Sequence, residues 1–147
     1  MPIIRFYVLP LGADIERRLQ ILCKLCEKAL NGGEKNLIIH CENHTLATLV
    51  DERLWQYPLT SFLPHTLSHD SKHSNDAPIL ITTAPERVTH ADTFINLSLD
   101  TQADIPQNCQ RVIEIVQNTN DVLSATRARY KAYQARGYTP ETIKLSM

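Results

Sequence analysis

The sequence predicts an open α/β sheet, mostly parallel and flanked by helices. Three observations predict it. Short apolar runs alternate along the 147 residues with longer stretches whose apolar residues recur every three or four positions. The links between them are short, as in strand–helix–strand units joined by right-handed crossovers. The first run is nearly continuous rather than alternating, which marks a strand covered on both faces. One domain spanning residues 1–147 is expected, long enough to bury a real core.

Taken in order, Ile3 to Leu9 (IIRFYVL) reads as the first strand. From Asp14 to Leu30, the residues Ile15, Leu19, Leu22, Cys23, Cys26, Ala29 and Leu30 form one apolar stripe, and Gly32-Gly33 closes that helix. Asn36 to Cys41 (NLIIHC) is a second buried strand, followed by a helix from about Asn43 to Trp55. Ile79–Thr82, Phe94–Leu99 and Arg111–Val116 complete a set of five strands, and a charged helix follows the last of them. Residues 66–78 (TLSHDSKHSNDAP) are polar and turn-rich and read as a mobile surface loop.

A sheet of this kind invites a nucleotide, so the glycines matter. Gly12 alone follows the first strand, with neither GxGxxG spacing nor a GK[ST] sequence around it, so no phosphate loop is expected. Cys23 and Cys26 have CxxC spacing but sit inside a predicted helix, where small core residues are the better reading than a redox or zinc pair. His65, His69 and His73 recur every four residues in a segment with poor helical patterning, and they are not read as a metal site. No nucleophile elbow or paired-carboxylate cue appears. Neither catalysis nor a cofactor or metal is therefore expected. The opening strand lacks a basic n-region and a cleavage site, and no apolar run approaches a membrane span. A cytoplasmic protein with reduced thiols follows.

Two segments carry the functional reading. The first is Ser124 to Tyr138 (SATRARYKAYQARGY), with Arg127, Arg129, Lys131 and Arg136 set among three tyrosines. Residues 121–147 hold five Lys and Arg against two Asp and Glu, whereas residues 1–120 hold ten against fourteen. A basic helix on an acidic body fits a negatively charged partner, the alternative being an ordinary solvated face. On a helix, Arg127, Tyr130, Lys131 and Gln134 share one face, while Val122, Thr126 and Tyr133 turn toward the body. Gly137 would stop the helix. Arg127 and Lys131 could then hold a carboxylate beside an apolar wall of Tyr130 and Tyr138. The second segment is Asp51 to Leu67 (DERLWQYPLTSFLPHTL), which holds the only tryptophan. Pro58 and Pro64 break any continuous helix there. Trp55, Tyr57 and Phe62 either cap a sheet edge or form a hot spot for a protein partner.

These two segments resemble the chi subunit of bacterial DNA polymerase III holoenzyme. LVDERLWQYPLTSFLPHTL is similar to that family's LDExLWxxPxxSFxPH block, and RARYKAYQARGY to its RxRYKxYxxxGF block. The resemblance covers essentially the whole chain. It implies a Rossmann-like fold and a non-catalytic accessory of the clamp loader. Such an accessory pairs with the psi subunit and binds the acidic C-terminal tail of single-stranded-DNA-binding protein, reaching DNA only indirectly. Arg127, Tyr130, Lys131 and Gly137 match the tail-binding block, with Tyr138 where the family often has Phe. Leu123 stands where the family pattern leads one to expect a basic residue. Trp55, Pro58, Phe62 and Pro64 match the block assigned to the psi interface, a surface that another partner such as a repair helicase could also use. The competing reading is a nucleic-acid-binding module whose basic helix touches phosphates directly, against which the overall pI of 6.6 argues.

Overall fold

The computed structural model describes residues 2–57, 65–67, 78–84, 88, 90–101 and 104–146. Its elements run β1 (Ile3–Val8), α1 (Ile15–Asn31), β2 (Leu37–His40), α2 (His44–Gln56), β3 (His65–Leu67), β4 (Ile79–Thr82), β5 (His90–Asn96), β6 (Asn108–Val116), α3 (Asn120–Ala135) and β7 (Glu141–Lys144). The strands form one sheet in the order β3-β4-β2-β5-β6-β1-β7. Every pairing described is parallel.

Alternation along the strands builds two apolar layers. Leu37, Ile39, Ile113 and Ile115 point into the layer formed with α1 and α2. Ile38, Val112 and Val116 point into the other, with Ile4, Phe6, Phe94 and, from α3, Val122 and Tyr133. Each fully buried Leu, Ile or Phe in these layers contributes about 1.5–3 kcal/mol of transfer free energy. The helices start and stop where their caps dictate. Asp14 accepts from the Arg17 N–H at 3.0 Å and Asn43 from the Leu46 N–H at 2.9 Å. After α1, Gly33 adopts φ +93°, its N–H donates to the Leu30 carbonyl at 3.0 Å and the Glu34 N–H to Ala29 at 3.1 Å. These are the two bonds of a Schellman ending.

The five expected strands are present, with four differences, the smallest being that β6 starts at Asn108 rather than Arg111. β5 starts at His90 and stops at Asn96, not at Leu99, although Leu97 is apolar and fully buried. Asn96 Oδ1 accepts from both the N–H and the hydroxyl of Ser98, at 2.9 and 2.7 Å, and this local turn ends the strand. β3 takes Thr66 and Leu67 out of the expected 66–78 loop, most of which lies outside the described residues together with His69 and His73. β7 is an edge strand beside β1, too polar (ETIK) to declare itself as an apolar run.

Candidate functional site

The outer face of α3 is the most distinctive surface, and the buried side of that helix determines where it points. Thr119 precedes α3 as its N-cap, with extended backbone, and its side chain accepts no backbone N–H of the first turn. Its hydroxyl donates instead to Asp121 Oδ1 at 2.7 Å, and that oxygen also accepts the Val122 N–H at 2.8 Å. These two bonds, the hydroxyl's first, hold the Asp121 carboxyl below its ordinary range. The buried stripe is Val122, Ala125, Thr126, Arg129 and Tyr133. Thr126 satisfies its own hydroxyl by donating to the Val122 carbonyl at 2.7 Å.

Arg129 is the unexpected member of that stripe. The sequence groups it with the exposed cations, yet its side chain is 0% exposed. Its guanidinium meets Glu114 of β6 as a fork, with Nε and Nη2 donating to the two carboxylate oxygens at 2.9 and 2.7 Å. Nη1 donates to the Ser98 carbonyl at 2.9 Å and to that of Asp100. The Tyr133 hydroxyl donates to Glu114 Oε2 at 2.8 Å. Burial works against the charge on Arg129, but the adjacent Glu114 reverses this and holds the guanidinium above its ordinary range. Burial, then Glu114, pushes the Tyr133 phenol up. A second buried guanidinium, Arg18 of α1, donates to the Ile115 carbonyl at 3.0 Å and is pushed down to about 10 by burial.

On the outer side, Asn120, Leu123, Ser124, Arg127, Ala128 and Lys131 line a shallow groove of about 390 Å³. The structure brings Arg127 and Lys131 together there, one turn apart and exposed. It does not bring Tyr130, Gly137 or Tyr138 into that groove. Tyr130 is half-buried, its ring edge-on to Phe6 with centroids 5.1 Å apart. Its hydroxyl lies 3.5 Å from the Pro140 carbonyl. Gly137 stands at φ +92° and ends the helix as Gly33 does, with its N–H on the Gln134 carbonyl at 3.0 Å and the Tyr138 N–H on Tyr133 at 3.1 Å. Tyr138 then packs edge-on against Tyr133, the apolar contact that accompanies this ending. Arg136 lies 3.6 Å from Asp104, so the exposed charge of the helix is smaller than the sequence run suggests.

The aromatic block is described only at its start. Trp55, in the last turn of α2, is 58% exposed, whereas Pro58, Phe62 and Pro64 lie outside the described residues. Arg53, Gln56 and Tyr57 line a groove of about 660 Å³ with Glu16, Leu19 and Cys23 of α1, and Trp55 is not part of it. The Cys23 and Cys26 thiols are buried within α1, and burial pushes Cys23 up to about 11. Among the described residues, no group of three His, Cys, Asp or Glu side chains could hold a metal ion, and no helix is long and apolar enough to cross a membrane.

Sequence reasoning missed the Glu114–Arg129–Tyr133 cluster. The signal was available: Glu114 interrupts RVIEIV, and a carboxylate in the middle of a buried strand requires a buried cation.

Comparison with known proteins follows this geometry. The family model described as DNA polymerase III chi subunit, HolC, matches residues 1–141. Proteins named DNA polymerase III subunit chi are similar to this chain along most of its length. The one from Pseudomonas aeruginosa is 33% identical over 140 residues, covering 95% of this chain and 94% of that protein. The one from Escherichia coli is 31% identical over 124 residues, covering 84% and 82%. The one from Haemophilus influenzae is 29% identical over 139 residues, covering 94% of each. Among solved structures, the C-terminal domain of the DEAD-box protein Dbp5 superposes with a TM-score of 0.62 at 13% identity, covering 97% of this chain and 90% of that one. That likeness is one of fold alone.

Proposed function

Because the chain belongs to the DNA polymerase III chi subunit family, we propose that this accessory replication subunit works as a non-catalytic adaptor. One surface holds the psi subunit of the clamp loader, and the other captures the acidic C-terminal tail of single-stranded-DNA-binding protein. The observation that carries the second half is the α3 groove. It pairs Arg127 with Lys131 one turn apart, and no acidic side chain is among the residues lining it. Arg129 and Arg136 each lie against a carboxylate, which leaves two cations that suit a peptide's carboxylates better than a polyphosphate backbone. Leu123, half-buried in the groove where the family pattern has a basic residue, offers an apolar contact in place of a charge. Each contact can be weak, because tethering raises the effective concentration of the second partner.

The test is titration of a labelled tail peptide at several salt concentrations. Arg127→Ala is expected to lose roughly 1.5–3 kcal/mol, about ten- to hundredfold in affinity. The variant's salt dependence should be flatter, because part of the attraction is screened charge. Equal affinity for wild type and variant, or for a peptide lacking its last residue, overturns the tail reading, and direct phosphate binding by the same helix then leads.

For the other surface, the exposure of Trp55 favours a docking role over an edge cap. Trp55→Ala is expected to weaken psi binding by about 2 kcal/mol or more while sparing the tail peptide. Unchanged psi affinity in the folded variant would show that the tryptophan makes no anchor, and capture of a repair helicase instead of psi would reassign the surface.

A further inference from the structure

We infer that Glu114, which no partner can touch, is a positioning residue for the peptide-binding face: it sets the rotation of α3 and so the direction of Arg127 and Lys131. The inference rests on the tail-binding reading above.

Apolar contact is non-directional, and α3 makes it through Val122, Ala125 and the ring of Tyr133, with half-buried Leu123, Tyr130 and Ala132 beside them. The directed bonds come from two successive turns and converge on one fully buried carboxylate. Arg129 supplies two of them and Tyr133 the third. Arg129 is further held by the carbonyls of Ser98 and Asp100, just beyond β5. Bonds from two turns to fixed points on β6 and just beyond β5 fix both rotation about the helix axis and translation along it.

Arg127 and Lys131 lie two residues to either side of Arg129, on the opposite face. A rotation of about 10° moves an atom at a radius of about 6 Å by about 1 Å. A displacement of that size is enough to loosen a directed contact.

The test replaces the polar anchor by apolar groups of similar volume (Glu114→Leu with Arg129→Met and Tyr133→Phe), which keeps the fold while removing direction. The groove residues stay untouched, and folding is checked by circular dichroism. The tail-peptide titration is expected to show full stoichiometry, a salt slope like that of wild type, and affinity about five- to tenfold weaker through faster dissociation. Wild-type affinity in the folded variant overturns the inference. So does a lowered binding-competent fraction with an unchanged Kd, since that is the behaviour of a merely structural residue. If the triple variant does not fold, Glu114→Gln, which preserves volume, is read by the same criteria. Amide NMR of the free protein reads the helix without any peptide, and shifts spread along Asn120–Ala135 are expected. A wild-type protein that ignores the peptide therefore counts against the tail reading, while unshifted α3 amides count against Glu114 alone.

Discussion

Arg129→Met is expected to lower the free energy of unfolding by about 3–5 kcal/mol at neutral pH, the largest effect of any single substitution considered. The reason is asymmetry. With the guanidinium gone, Glu114 is left as a carboxylate in a site with no exposure, where among the described residues only the Tyr133 hydroxyl still donates to it. The lost bonds matter less than the uncompensated buried charge. Removing both partners together should recover most of the loss, because two apolar side chains do not need what either ion needed. Urea unfolding of the single variant and of the triple variant measures both effects. A single-variant loss below about 1 kcal/mol would place this pair with exposed ion pairs and contradict its burial.

The second large effect is alkaline destabilisation from the buried thiols. Burial is the first cause of the raised titration of Cys26 and Cys41, and it pushes Cys41 up to about 12. In the unfolded chain a thiol releases its proton near pH 8.5, and in the folded protein these two do not. A raised folded value means that the stability is complete below the unfolded value and is lost as pH rises toward the folded one. By about pH 10 each such thiol lowers stability by about 2 kcal/mol, so the pair accounts for about 4 kcal/mol. Urea midpoints measured under reducing conditions from neutral pH upward should show this slope. Cys26→Ala with Cys41→Ala should flatten it, even though the variant starts less stable from lost packing. A variant with the same slope as wild type would assign the loss elsewhere.

The sheet was legible because its strands are apolar beyond what solvent tolerates: IIRFYV, LIIH and ILIT leave no other reading. β7 was not legible, because an edge strand with exposed Glu141, Thr142 and Lys144 is specified by pairing with β1 rather than by its own composition. The site divides in the same way. Arg127 and Lys131 share a groove because a period of 3.6 residues places them on one face of α3. Tyr130 and Tyr138 were expected beside them as an apolar wall; Tyr130 packs against Phe6 and Tyr138 against Tyr133, and neither lines the groove. The same helical period places Arg129 on the inward face between Thr126 and Tyr133; its charge and the Arg/Lys run around it masked this, and its partner lies fifteen residues away on a strand. A charge is assigned to surface or core by what it meets, and here both halves of the pair stand at inward positions of their own elements.

The place of β1 in the sheet bears on how the chain is made. Its two neighbours, β6 and β7, are drawn from residues 108–116 and 141–144, which leave a ribosome after β2 to β5 have done so. The strands from β2 to β5 pair among themselves and can assemble while synthesis continues. β1 has no partner in the sheet until β6 has emerged. Ile4 and Phe6, later among the most deeply buried side chains, spend that interval without their native cover. The nascent chain therefore carries an apolar segment without its strand partners over the whole interval between β1 and β6.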